Sequence, residues 1–459
     1  MTLMTRRSAL RLLAGGVADV ALVRGQPTLR SAPPLSRPSA AQPSTDILIS
    51  NARMFDGTGS SLRPGHVLIS NRRIKQVSPS PISPPANARV IDAQSRVLMP
   101  GLTDAHWHMV FAPNTIADME AADTGLMYAN AVAEAERTLM RGFTTIRDVG
   151  GPTFGLKQAI DSGVIPGPRV YPSGALISQT AGHGDFGPAY DRPVELAGRP
   201  SRLEEIGAFT VANGVAGVEA AVRMQCKRGA SQIKIALGGG VISQSDPIDT
   251  LQYTPEEIRA AVQTAADWGT YVCAHVYTVP GIRRGLEAGV RSIEHGHMAD
   301  EATVQLITER GAWLSLQPFQ AGDNPLTPAQ IAKAEPTSHW DRVAAWAKAH
   351  GTKVAFGTDM LFQPEGTKNQ PVLLTRFAQV FGNAGTLRIA TAGNCELFAL
   401  SGLRNPYGDA KLGVIQEGAW ADVLLIEGDP TRDINVLKDY ERNLRVIIKD
   451  GTVYKNTLA

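Results

Sequence analysis

A chain of 459 residues, 43% of them hydrophobic, suits one large domain with a smaller companion. Lys and Arg number 45 against 43 Asp and Glu, a net charge of +2 with no basic stripe, which excludes a nucleic-acid footprint. Cys226, Cys273 and Cys395 form no CxxC pair, so a disulfide scaffold and a cysteine-type zinc site are excluded as well.

At the start of the chain, Arg6-Arg7 precede a mostly apolar stretch that runs to about Val23 and is interrupted by Asp19. A Pro/Ser/Ala-rich segment follows, with Pro27, Pro33, Pro34, Pro38 and Pro43. This is the pattern of a twin-arginine export signal followed by a linker too poor in apolar residues to bury a core. Residues 1–45 are thus expected to export the protein to the periplasm or beyond; without a working signal it stays cytoplasmic. No later apolar run is long enough to span a bilayer, so no membrane partner is expected.

Folded sequence is expected from Asp46. Short β-like runs occur at 46–50, 66–70 and 89–92, and again at 422–426 and 444–448, where Asp450-Gly451 adds a hairpin signal. Both ends are strand-rich, which predicts a small β-sandwich assembled from residues 46–98 and 405–459.

Between them lie eight strand-like runs: 101–106, 144–149, 169–173, 232–237, 271–276, 292–295, 313–317 and 354–359. Helical patterns separate most of them, as at 215–228, 255–268, 299–309 and 337–349. Thr254-Pro255-Glu256-Glu257 is a helix start, with a hydroxyl cap, proline at the first position and acids against the dipole. Eight β/α units predict an α/β fold, a (β/α)8 TIM-type barrel over residues 99–404. An open doubly wound sheet would carry a glycine-rich dinucleotide turn after its first strand, and none is present. Gly238-Gly239-Gly240 lacks the Lys-Ser/Thr of a phosphate loop.

The C-terminal ends of barrel strands converge on one face. His106 and His108 end the first strand, Lys234 lies in the fourth, His275 in the fifth, His295 ends the sixth and Asp359 the eighth. Residues two apart on a strand point the same way, so both imidazoles of His106-x-His108 can reach one ion. Imidazole with carboxylate suits Zn²⁺, and Co²⁺ or Mn²⁺ fit the same donors. Asp104, two before His106, is placed to orient a ligand from behind. Arg147 and Asp148, ending the second strand, read as an ion pair at the rim. His66, His339 and His350 read as surface or packing residues, and Trp107 as core.

The segment Met99-Pro-Gly-Leu-Thr-Asp104-Ala-His106-Trp-His108 resembles the PGxxDxHxH opening of the amidohydrolase superfamily. Ile233-Lys234-Ile235, Ala274-His275, Ile293-Glu294-His295-Gly296, Phe356-Gly357-Thr358-Asp359 and the closing Gly418-Ala419-Trp420-Ala421-Asp422-Val423 resemble its later motifs. The likeness extends from about Asp46 to the C-terminus and points to the imidazolonepropionase-like and Xaa-Pro dipeptidase-like branch, which includes hydrolases of dipeptides, N-acyl amino acids, ureas and thiocarbamates.

The resemblance implies a two-metal site. His106, His108 and Asp359 would bind one ion, His275 and His295 the other, and Lys234, carboxylated by CO₂, would bridge them. A free ammonium has no lone pair, whereas a carbamate offers two anionic oxygens. The alternative for Lys234 is an ion pair or substrate clamp, with a single-ion site. The implied activity is hydrolysis of a carbonyl–nitrogen bond by hydroxide generated at the metals, with Asp359 as general base. No Gly-x-Ser-x-Gly elbow or catalytic-cysteine context competes with it.

His183, on a glycine-rich loop after the third strand, and Tyr277, two beyond His275, are candidates to hold substrate; His297 reads as supporting the ligands or idle. Expected substrates are small N-acyl amino acids or dipeptides. Carbamates, ureas or lactams are the enzymatic alternative, and a binding protein on a barrel scaffold the non-enzymatic one. The loops at 174–216, 317–326 and 360–372 are expected to decide among substrates. Assembly into a homo-oligomer remains open.

Overall fold

The computed structural model describes residues 46–320, 323 and 326–458; the expected export signal and linker lie outside them. The first strands are β1 (Ile47–Met54), β2 (Arg63–Ser70), β3 (Arg73–Ser78), β4 (Arg89–Asp92) and β5 (Val97–Pro100). There follow β6 (Leu102–Trp107), β7 (Phe143–Asp148), β8 (Arg169–Pro172), β9 (Leu176–Ser178) and β10 (Phe209–Val211). The chain then forms β11 (Ile233–Ala236), β12 (Val272–Thr278), β13 (Ser292–Met298), β14 (Trp313–Leu316) and β15 (Lys353–Phe356). It closes with β16 (Val423–Ile426), β17 (Leu444–Lys449) and β18 (Thr452–Asn456).

The two ends of the chain meet in one eight-stranded sheet of order β18-β17-β16-β5-β1-β2-β3, with β4 also paired to β1. Its central join is antiparallel, Val423 opposite Pro100 and Ile426 opposite Val97. The terminal strands thus share one hydrogen-bonded sheet. The alternating inward residues Ile47, Ile49, Val67, Ile69, Val423 and Ile448 bury its apolar face.

The middle of the chain is parallel. β6-β7-β8 form one sheet and β10-β9-β11-β12-β13-β14-β15 another. A helix follows each major strand: Thr124–Met140, Phe154–Asp161, Gly214–Arg228, Pro255–Asp267, Val279–Ala288, Glu301–Glu309, Trp340–His350 and Gln370–Arg388. The chain is a mixed α/β protein. β6, β7, β11 and β12 are buried along their whole length, as strands covered on both faces must be.

Local signals explain where the helices start. Thr254 accepts a bond from Glu257 N (3.3 Å) while Glu257 accepts one from Thr254 N (2.8 Å), a capping box reinforced by Pro255 in the first turn. The expected third strand forms as β8, and Gly174, at φ +73°, then turns the chain into β9, which lies in the segment read from sequence as loop. That segment also contributes β10 and a helix at Arg202–Glu205 before the Gly214–Arg228 helix begins. Among the described residues, no helix is long and apolar enough to cross a membrane.

Candidate active site

The expected ligand and substrate residues line one cavity of about 560 Å³: His106, His108, Lys234, His275, His295 and Asp359, together with His183 and Tyr277. They arrive from β6, β11, β12, β13, the end of β15 and the segment after β9. His106, His295 and Asp359 each offer a ligand atom, and these atoms lie within 4.8 Å of one another. Asp359 Oδ1 is 3.2 Å from His106 Nε2 and 3.1 Å from His108 Nε2, and its Oδ2 is 3.9 Å from His295 Nδ1.

Backbone conformation contributes to this convergence. His295 (φ +73°) and Asp359 (φ +49°) sit in the left-handed region that L residues rarely adopt. Such strain persists only where the surroundings enforce it, and here it turns both side chains at the ends of their strands. Asp359 N donates to His106 O at 2.6 Å. A Cβ on Gly357 would stand 2.7 Å from His106 N, so only glycine lets this segment run so close to β6.

The electrostatics favour metal-ligand chemistry. Burial drives the His275 and His295 imidazoles well below the usual histidine range, which leaves each with a free lone pair. Burial pushes the Asp359 carboxyl up, but His106 and His108 beside it win and hold it well below its ordinary value. Burial also lowers the Lys234 ammonium, against the pull of Glu294 and Asp359. His295 Nδ1 is buried without a hydrogen-bond partner, which suits a nitrogen that could ligate a cation. The donor set of imidazoles, one carboxylate and a deprotonation-prone lysine therefore fits divalent ions.

Supporting groups lie behind these. Glu294 Oε2 is 2.9 Å from His106 Nδ1, and Glu294 also accepts two bonds from Arg147 Nη2 (2.7 and 2.8 Å) and one from Ser292 Oγ (2.6 Å). The carboxylate accepts a hydrogen bond from His106 Nδ1–H and so leaves Nε2 facing Asp359. Arg147 thus pairs with Glu294 and not with its neighbour Asp148. Successive strand residues point to opposite sides, and Asp148 instead accepts Met109 N at 2.7 Å. Asp104 touches no imidazole. Its carboxylate accepts His106 N (3.0 Å), Thr358 N (3.1 Å), Thr358 Oγ1 (2.6 Å) and Gln370 Nε2 (3.0 Å), clamping the backbones that carry His106 and Asp359.

His183 stacks on His275 with ring centroids 3.9 Å apart, its Nδ1 2.8 Å from Ser243 Oγ and 3.6 Å from Asp246 Oδ2. Gly240 makes room for it, since a Cβ there would lie 2.0 Å from the imidazole. Tyr277 stacks on His295 at 4.9 Å, and burial raises its phenol far above the ordinary value, so it stays a neutral donor. His297 is buried with Nε2 unpartnered, and burial lowers it to about 4. Trp107 is fully buried in the core, and His350 pairs with Glu301 at 3.0 Å.

Glu294 is the supporting residue that sequence reasoning passed over. It stands inside a motif beside His295, but its partners His106 and Arg147 come from β6 and β7, and strand spacing alone carries no sign of those contacts.

The amidohydrolase family model matches residues 97–453. The chain is 31% identical over 425 residues to the ochratoxinase of Aspergillus niger, covering 88% of this chain and 85% of that protein. It is similar to the crystal structure of an amidohydrolase, with TM-score 0.83 and 34% identity, covering 90% of this chain and 100% of that one. The crystal structure of a prolidase complexed with N-methylphosphonate-L-proline matches at TM-score 0.82 and 34% identity over the same shares. On this family match and these relatives, the chain belongs to the amidohydrolase family and is a hydrolase of carbon–nitrogen bonds.

Proposed function

We propose that the chain is a two-metal amide hydrolase whose ligands are His106, His108, Lys234, His275, His295 and Asp359, acting on small amide or peptide substrates. The observation that carries this reading is that these residues, drawn from five strand ends, line a single cavity. The relatives named ochratoxinase and prolidase support an amide or peptide bond as the target. We also read the two parallel sheets as one (β/α)8 barrel over 99–404, beside a terminal domain of 46–98 and 405–459. Two seams support closure: Ser231 N donates to Pro172 O (2.8 Å), and Asn394 bridges Thr103 O (3.2 Å) and Phe356 O (2.9 Å). Residues 1–45 act in this reading as an export signal and linker.

His106, His108 and Asp359 would hold one ion and His275 and His295 the other, Zn²⁺ in the first instance. Lys234 would bridge them after its neutral amine adds to CO₂ and loses a proton, a step that burial of the amine favours. Bound ions supply Lewis-acid polarisation of the scissile carbonyl and acidify the attacking water. Asp359 takes that water's proton on a carboxylate oxygen and returns it to the departing nitrogen. The Tyr277 hydroxyl donates to the oxygen on which negative charge develops. His183, with Nδ1 held by Ser243, orients the substrate through Nε2.

Chelation followed by reloading with Zn²⁺, Co²⁺ or Mn²⁺ tests the reading, with dipeptides, N-acyl amino acids and carbamates as substrates. Activity is expected to vanish on chelation and return with the metal, at about two ions per chain by elemental analysis. Lys234→Met is expected to hold no more than about one ion and to lose at least about a hundredfold in kcat/KM. Full activity in metal-free protein overturns the proposal. An unchanged metal count in Lys234→Met removes the bridge and leaves Lys234 as an ion-pair or clamp residue.

A further inference from the structure

The Gly238-Gly239-Gly240 run, which is no phosphate loop, opens a segment, 238–247, that folds back on itself beside the cavity. A Cβ on Gly239 would stand 2.0 Å from Pro247 O, and one on Gly240 2.0 Å from the His183 ring. Glycine alone lets the segment close and lie against that imidazole. Two of its side chains meet His183 Nδ1, Ser243 Oγ at 2.8 Å and Asp246 Oδ2 at 3.6 Å. The main chain of His183 is held as well, its N–H donating to Gln252 Oε1 at 3.0 Å.

Asp246 has no exposed surface, a placement that costs free energy unless charge and hydrogen bonds offset it. Its Oδ2 accepts Gly240 N at 2.8 Å, while Oδ1 has no hydrogen-bond partner. The offsetting charge is Lys333, whose Nζ lies 3.7 Å from Oδ1. The same Nζ donates to the carbonyls of Gly240 (3.1 Å), Ser243 (2.7 Å) and Asp246 (2.8 Å). Lys333 reaches the segment from the helix Pro328–Ala334, none of whose residues is buried. Polar contacts tie that helix to the segment, Gln330 Nε2 also donating to Ile242 O at 3.1 Å. Burial pushes the Asp246 carboxyl up, but His183, Ser243 and the Gly240 amide hold it below its ordinary value, so it stays an acceptor. A carboxylate behind an imidazole fixes which ring nitrogen carries the proton and where the ring points.

We propose that Asp246, braced by Lys333 and acting with Ser243, is a positioning residue for His183: it holds the ring on His275, with Nδ1–H directed at the segment and Nε2 presented to the substrate. Asp246 is not among the residues that line the cavity, so it acts through the ring. This rests on the substrate-holding role of His183 given above and names the groups that enforce it.

Asp246→Asn, His183→Phe and the double variant provide the test, loaded with Zn²⁺ and assayed on the dipeptide or N-acyl amino acid that wild type turns over best. Asparagine keeps an acceptor for Gly240 N and removes the charge; phenylalanine keeps a ring on His275 and removes both nitrogens. Each single variant is expected to lose at least about tenfold in kcat/KM at unchanged metal content, divided between kcat and KM in the same way. The double variant is expected to be no worse than His183→Phe. Ser243→Ala is expected to lose about threefold in wild type and nothing further in the His183→Phe background, and this pair carries the test if Asp246→Asn does not fold.

Losses that multiply in either double variant overturn the proposal, because the segment then acts independently of the ring. Full activity of Asp246→Asn beside an impaired His183→Phe also overturns it and leaves the role of His183 standing. Wild-type activity of His183→Phe removes that role and the proposal with it. A crystal structure of Asp246→Asn gives an answer that needs no turnover. The His183 ring is expected to leave its stack on His275, now at 3.9 Å between centroids, and a ring still in place overturns the proposal. Turnover of no compound overturns the hydrolase reading and leaves the position of the ring to decide this one.

Discussion

Asp359→Asn is expected to fold and to keep most of its metal, yet to lose at least about a thousandfold in kcat. The substitution is isosteric, and asparagine tolerates the left-handed backbone (φ +49°) at least as well as aspartate does. The bond from the backbone N–H of residue 359 to His106 O, 2.6 Å, does not involve the side chain. The amide keeps one acceptor oxygen near His108 Nε2, where Oδ1 now lies 3.1 Å away. What it loses is the anion. The wild-type carboxyl is held ionised by the imidazoles around it, so at neutral pH it is present as the anion a general base must be. An amide has no such capacity. Removing a positioned general base costs roughly 10² to 10⁴ in rate, and more when the same group returns the proton to the leaving group. Steady-state kinetics, elemental analysis and a thermal melt on one preparation separate the effects. If the variant keeps more than about a tenth of wild-type kcat with full metal, Asp359 is not the base.

How far this site can be read without coordinates depends on whether a residue acts through its own strand or through its neighbours. His106 and His108 are legible because a two-residue repeat puts both rings on one face. Lys234, His275 and His295 are legible because ends of successive parallel strands converge. The shared terminal sheet follows from the strand signals at both ends, although Val423 and Pro100 are far apart in the chain. What is not legible is lateral. Arg147 and Asp148 are adjacent and oppositely charged, so sequence suggests a pair. The pleat sends one to Glu294 and the other to the Met109 amide. Asp104 looks placed to hold an imidazole, but it clamps backbone, because Thr358 and Gln370 arrive from far along the chain. The short strands β9 and β10 are likewise a matter of tertiary fit: they lie in a segment that reads as loop, and they pair with each other.

Arg147→Met is expected to destabilise the fold by about 3–5 kcal/mol, because it leaves a buried carboxylate without its counter-charge. Arg147 and Glu294 are both fully buried. The guanidinium also donates to Ala105 O through Nε (2.6 Å) and to Tyr271 Oη through Nη1 (3.1 Å), so it joins β7 to β6, to the residue that opens β12, and to β13. Methionine fills much of the volume but satisfies none of these acceptors. Glu294 must then either stay charged in an apolar surrounding or take up a proton, and a protonated Glu294 no longer fixes the Nδ1 proton of His106. Denaturant melts of Arg147→Met, Glu294→Gln and the double variant measure the coupling. If the cost is that of an orphaned charge, the double variant is more stable than Arg147→Met alone, since neutral glutamine removes the charge that the first change exposed. Strictly additive losses would mean that the two side chains stabilise the fold independently, and that Arg147 acts through the strands it ties together and not through Glu294.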